Sequence, residues 1–169
     1  MEKKNVGKKK TIYIILTAFI VLAAVICAFA LPHKAKLDTE TASYIEKQII
    51  ARESPTAYHE ANDFSAVSYK VLSAKRKGDT TEIYMVALYE NFVYKNGLSV
   101  ISGNSGPLVL TMQKTDSGYN LKEYWTPSMG ADYSRSIKER FPLSLQYNAI
   151  GSSKYADELK KENLLKASE

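Results

Sequence analysis

Thr11 to Leu31, TIYIILTAFIVLAAVICAFAL, is a run of 21 residues without a charge. At about 1.5 Å of rise per helical residue it reaches about 30 Å, the thickness of a bilayer's hydrocarbon core. Lys3, Lys4, Lys8, Lys9 and Lys10 precede it against the single acid Glu2. Lysine-rich flanks stay in the cytoplasm, so the sequence predicts one membrane span with the N-terminus inside and everything beyond residue 31 outside. The alternative is secretion after cleavage near Ala30, since Ala28-Phe29-Ala30 offers a small-residue site. The apolar run exceeds the roughly 7–15 residues of a cleavable signal, which favours a retained signal anchor.

The basic stub also accounts for most of the charge. The whole chain carries +5 over 169 residues, and Met1 to Lys10 supplies +4 of it, leaving 18 basic against 17 acidic groups. A near-neutral outer domain removes the main support for a nucleic-acid reading, so no nucleic-acid partner is expected. Cys27 is the only cysteine and lies inside the apolar run. Val25-Ile26 before it does not suit a lipid-attachment signal, and no disulfide can form within the chain. The outer domain must therefore be held by its core. The length leaves room for one such domain. The expected division is a cytoplasmic stub at 1–10, the anchor at 11–31, a linker at 32–37 and an extracytoplasmic domain at 38–169.

Within that domain the period changes from helical to extended. Asp38 or Thr39 can cap a helix with Ala42, Ile45 and Ile49 on one face, bounded by Pro55. Ser65–Ala74 reads as a strand and Lys75–Asp79 as a turn. Thr80–Tyr94 is the longest candidate strand, with Ile83, Met85, Ala87 and Tyr89 on one face and Tyr84, Val86 and Leu88 on the other. Apolar residues on both faces make it a central or a strongly curved strand. Asn96-Gly97 suits a tight reversal. Ser102-Gly103-Asn104-Ser105-Gly106 reads as a loop ahead of the strand Leu108–Lys114. Thr115–Gly118 then turns the chain into Tyr119–Trp125, giving a hairpin. In that last run Tyr119, Leu121, Glu123 and Trp125 are expected on one face and Asn120, Lys122 and Tyr124 on the other, with Pro127 ending the ladder. Asp132 is expected to cap a helix presenting Tyr133, Ile137 and Phe141, with Trp125 beneath it. Ser152 or Ser153 is expected to cap the last helix. The order predicts an α+β fold: one helix across the concave side of a curved antiparallel sheet of about four strands, with two C-terminal helices, a cystatin-like cone by analogy.

Motifs for chemistry are sparse. His59-Glu60 lacks the second histidine of H-E-x-x-H, and the other histidine, His33, stands at the predicted membrane exit, so neither metal nor cofactor is expected. The Ser102–Gly106 stretch precedes a strand, whereas a nucleophile elbow joins strand to helix. Glu82, Glu90 and Glu123 on strands could converge for acid-base work, although solvated or lysine-paired carboxylates are the simpler reading. Tyrosines on the strands could line a pocket for a sugar or peptide, or merely suit half-buried strands. The candidate ligand-binding residues are Tyr84, Tyr89, Asn104, Ser105, Glu123 and Tyr124.

Five stretches carry a resemblance: TEIYMVALYENF (Thr81–Phe92), ISGNSGPLVLTM (Ile101–Met112), LKEYWTP (Leu121–Pro127), GADYSRSIKERFP (Gly130–Pro142) and YADELKKE (Tyr155–Glu162). Together they resemble an uncharacterised extracytoplasmic domain family of Gram-positive bacteria. Its members stand alone on membrane anchors or lipoproteins, or are attached to membrane metallopeptidases of the β-lactam-sensor type. The peptidase part is absent here. That family usually carries a histidine where Ser105 stands, and often acidic and basic residues where Thr126, Ser128 and Met129 stand, so any ligand contact there differs in this copy. The resemblance implies a non-catalytic binding, sensing or accessory domain of the cell envelope, with an envelope protein or cell-wall ligand as partner. A small pocket enzyme acting on a cell-wall component through strand carboxylates is the alternative.

Overall fold

The computed structural model describes residues 37–54 and 63–168, all within the compact unit Lys34–Glu169. The predicted stub and span, Cys27, both histidines and Pro55 lie outside the described residues. No described helix is long and apolar enough to cross a membrane. The described part is α+β, with four antiparallel strands and four helices.

Helix α1 (Thr39–Glu53) starts where the sequence predicts. The Asp38 carboxylate accepts the Thr41 main-chain N–H at 2.7 Å, satisfying one of the donors that a helix start leaves free. That main-chain bond holds the Asp38 carboxyl below its ordinary value. Ile45 and Ile49, four residues apart, are buried on one stripe.

Strands β1 (Asp63–Lys77), β2 (Thr80–Tyr94), β3 (Leu98–Thr115) and β4 (Gly118–Trp125) form a meander in sheet order β1-β2-β3-β4. Two expected loops are corrected. Lys75–Lys77 continue β1, so the first turn narrows to Gly78-Asp79. Ser102–Gly106 is not a loop but the middle of β3, paired with β2 from Asn91↔Ser102 to Ala87↔Gly106. Its glycines misled the reading because one of them serves packing: a Cβ on Gly103 would stand 2.7 Å from the Tyr89 carbonyl oxygen. At Asn96-Gly97 the expected reversal is present, with φ of 61° and 125°.

The sheet is covered on both faces. Ile83, Met85, Ala87 and Tyr89 of β2 pack with Ile45 and Ile49 of α1, while Tyr84, Val86 and Leu88 point the other way, as the alternation predicts. On the second face lie α2 (Tyr133–Arg140), α3 (Leu143–Ile150) and α4 (Ala156–Ala167), contributing Ile137, Leu145, Ala149 and Leu159. Each buried leucine or isoleucine among them contributes about 1.5–3 kcal/mol relative to exposure. Helix α3 has no counterpart among the elements expected from the sequence, which leaves residues 143–151 unassigned; Phe141-Pro142 does end α2. Proline is equally at home at a helix start, and here Pro142 is the N-cap of α3.

Capping differs from expectation at two other starts. Asp132 makes no cap bond and pairs instead with Arg135 at 2.8 Å. Ser152 and Ser153 open a 3-10 turn, and α4 begins after Tyr155.

The faces of β4 are also corrected. Thr111 pairs with Glu123 but Met112 with Leu121, so Lys122 is an extra residue that resets the alternation. Tyr119, Leu121 and Tyr124 therefore face α1, while Glu123 turns to Arg140 of α2 and Trp125 packs into the second core. The half-buried Trp125 ring lies 5.8 Å from Phe141, which ends α2. The β3–β4 ladder stops at Val109↔Trp125. Continued in register it would set Pro107 against Pro127, and neither has an N–H to give.

Candidate functional site

Where β4 leaves β3, a pocket of about 460 Å³ opens between the last turn of α1, strands β2 and β3, and the departing chain. Ile49 and Glu53 line it from α1, Ala87 and Tyr89 from β2, and Asn104 to Leu108 from β3. Tyr124, Thr126, Pro127, Met129, Gly130 and Tyr133 complete the wall. Four of the six predicted residues meet here: Tyr89, Asn104, Ser105 and Tyr124. Asn104 and Ser105 do so as parts of a strand edge, not of a loop.

One carboxylate organises the polar wall. Glu53 Oε1 accepts the Tyr124 hydroxyl at 2.8 Å, and its Oε2 accepts Asn104 Nδ2 at 3.0 Å. Burial, then the bond and charge of Glu53, push the Tyr124 phenol far above the usual tyrosine range. The Arg52 guanidinium carbon lies 5.9 Å from the Tyr124 ring centroid. Tyr89, the cross-strand partner of Asn104, donates its hydroxyl to Asn91 Oδ1 at 2.5 Å, and Asn91 is held further by Ser65 and Ser102. Both tyrosines thus have engaged hydroxyls and offer the pocket their rings. Among the described residues these two donors leave Glu53 with unused acceptor capacity, because a carboxylate has about four lone-pair sites.

Glu53 escaped the sequence reading, although a signal existed. It follows Ile45 and Ile49 at the same spacing of four, an acid at the end of an apolar stripe. Tyr133 packs against the second core with Ile137 and Phe141, as the helical spacing predicts, and also lines the pocket from the start of α2.

Tyr84 and Glu123 are not part of this pocket. They lie on the other face of the sheet, where Arg140 Nη1 donates to Glu82 Oε1 at 2.6 Å and Nη2 donates to Glu123 Oε2 at 2.7 Å. The Tyr84 hydroxyl donates to Glu82 Oε2 at 2.5 Å. Burial alone would raise the Glu82 carboxyl, but the donors Tyr84 and Arg140 outweigh it and the net shift is downward. Burial, reinforced by Glu82, pushes the Tyr84 phenol up to about 12. This cluster keeps Glu82 ionised against a cation, the opposite of what a general acid requires.

Glu90, the third strand carboxylate, is buried beneath α4. It accepts Asn163 Nδ2 at 2.9 Å, and Asn163 Oδ1 accepts Ser68 Oγ at 2.6 Å. Eight residues separate Glu90 from Glu82 along one strand, about 26 Å at strand rise. Among the described residues no group of three or more His, Cys, Asp or Glu side chains is placed to hold a metal ion. No protein-family model, curated protein or solved structure matches the chain.

Proposed function

We propose that this chain is a single-pass, membrane-anchored binding or sensing domain of the cell envelope, non-catalytic and accessory in role, which takes its ligand in the pocket beside α1. The observation that carries the reading is the pocket itself. Its volume, about 460 Å³, falls in the roughly 300–1,000 Å³ range of ligand sites, and its walls combine aromatic rings with a few fixed polar groups. Glu53 is its sole carboxylate among the described residues. That supports binding over acid-base turnover, which needs a second titrating partner within reach of the substrate. The alternative enzyme drew on Glu82, Glu90 and Glu123, and these sit in ion pairs or beneath α4. The outside placement rests on the charge-free run at 11–31 and its lysine flank. Helix α1 across one face suits the cystatin-like cone expected from the order of elements, with α2 to α4 added on the other.

The test is site-specific photo-crosslinking in intact cells from Met129, which is exposed at the pocket rim. A discrete adduct is expected, lost when Tyr124→Ala is added and absent when the crosslinker stands at Ser117 on the β3–β4 turn. Identical products from Met129 and Ser117 would overturn the reading.

A further inference from the structure

We propose that the ligand is an extended peptide, which adds as a strand along β3 where β4 has left it and drops one side chain into the pocket. This rests on the pocket being the binding site and specifies what enters it.

β3 has 18 residues, yet β4 pairs only with Val109–Thr115. Leu98 to Leu108 thus have β2 on one side and, among the described residues, no strand on the other. This edge is protected only towards its ends. Natural edges are blocked by lysines, prolines, bulges or short length, whereas LSVISGNSGPL holds no charge and is exposed from Ser99 to Ser105. Its two irregularities, the extra residue Ile101 and Pro107, bracket an interval that neither blocks: Ser102 to Gly106. The second half of that interval, Asn104 to Gly106, lines the pocket.

The position of the pocket makes the same point. Its lining joins the β3 edge to Thr126, Pro127, Met129 and Gly130 of the chain leaving β4. An added strand would lie in the lane that β4 gives up, with main-chain groups facing the unpaired groups of β3. Asn104 points toward α1, as its bond to Glu53 shows, and Gly106 shares that face by alternation. Around the Cβ position of Gly106 there is nothing within 4 Å. A peptide side chain on this face therefore has room to descend between the rings of Tyr89 and Tyr124 toward Glu53. The free acceptor sites of Glu53 select an apolar or aromatic body with a donor at its tip, and oppose an acid. A second copy pairing β3 to β3 would cover the edge but leave the pocket vacant, because Ser102, Asn104 and Gly106 are too short to fill it.

The experiment uses the full-length chain in lipid nanodiscs and a randomised heptapeptide library. Selection should enrich tyrosine, tryptophan, lysine or arginine at one position flanked by β-formers. The selected peptide, resynthesised with alternate amides N-methylated, should bind at least about tenfold more weakly, since each lost hydrogen bond is worth about 0.5–1.5 kcal/mol and 1.4 kcal/mol is tenfold. Glutamate at the enriched position should weaken binding similarly, and binding should slow hydrogen exchange of the Ser102–Gly106 amides. Equal affinity of methylated and parent peptides, or an absence of enrichment while the Met129 adduct persists, would overturn strand addition and leave the pocket reading standing. Peptide binding indifferent to Tyr124→Ala would overturn both. A sedimenting dimer whose dissociation is required for binding would replace the peptide with a second copy.

Discussion

Arg140 shows how one side chain joins elements that are distant in sequence. Its guanidinium binds Glu82 on β2 and Glu123 on β4, so it closes α2 over two strands that do not neighbour each other. Arg140 and Glu82 are partly shielded, with 23 % and 27 % exposed, whereas Glu123 is 43 % exposed, so the bond to Glu82 is worth more than a surface pair and the bond to Glu123 is screened by solvent. Arg140→Ala is expected to cost about 1–2 kcal/mol in denaturant unfolding, chiefly because Glu82 loses its charged donor. The pH dependence gives a second readout. Glu82 has a folded value below its ordinary one, so its contribution is complete above the unfolded value near 4.5 and is lost as pH falls through the folded value. Acid sensitivity below about pH 4.5 should therefore be weaker in the variant than in the parent. An unchanged acid limb would show that Arg140 does not set the ionisation of Glu82.

The strand β3 and the helix α4 depend on single small or polar residues. Gly103 lets β3 lie against β2 at Tyr89, and Gly103→Ala should cost about 1–3 kcal/mol through the clash of its Cβ with the Tyr89 carbonyl. Asn163 is fully buried and serves Ser68, Glu90 and the Leu88 carbonyl. Asn163→Ala leaves the Glu90 carboxylate buried without that donor, so a loss of about 1–3 kcal/mol is expected, with α4 amides exchanging first. Hydrogen exchange of the variant checks the second part: uniform acceleration over the domain would contradict a local role. These two elements also mark where sequence was legible and where it was not. The faces of β2 and the stripe of α1 follow from periodicity, which depends only on local geometry. The continuation of β3 through Ser102–Gly106 does not, because the strand exists there only by pairing with β2, and Gly and Asn alone signal a turn. The switch of face in β4 is equally non-local: nothing in LKEYW says that Lys122 is the residue left over when Thr111 and Met112 choose their partners. The candidate site does not turn on either error: Asn104 and Ser105 line the pocket from a strand as they would from a loop, and Glu123 and Tyr124, neighbours in sequence and so on opposite faces, are separated by alternation alone, only Tyr124 reaching the pocket.

At the scale of the molecule the sheet is a shared floor for two cores, and both contain tyrosines whose ionisation the fold resists. Tyr69, on the α1 face, is pushed up to about 12 by burial and the charge of Glu46. Tyr84, on the other face, reaches about 12 by burial and Glu82. Lys70 is raised through its bond to Glu158 on α4. Each folded value lies above its unfolded one, so at high pH the unfolded chain releases protons that the native state keeps. Stability that is fully present below about pH 10 should fall as pH rises toward 12. Because the groups sit on both faces, the decline should be a loss of the whole domain: one transition, monitored alike by far-ultraviolet dichroism and by Trp125 fluorescence, moving to lower denaturant with each step in pH. Tyr84→Phe supplies the control. It removes the hydroxyl and its bond to Glu82, so the variant should be less stable at pH 8 yet decline less steeply between pH 10 and 12. A parallel decline in parent and variant would mean that Tyr84 ionises as freely in the folded domain as in the unfolded chain.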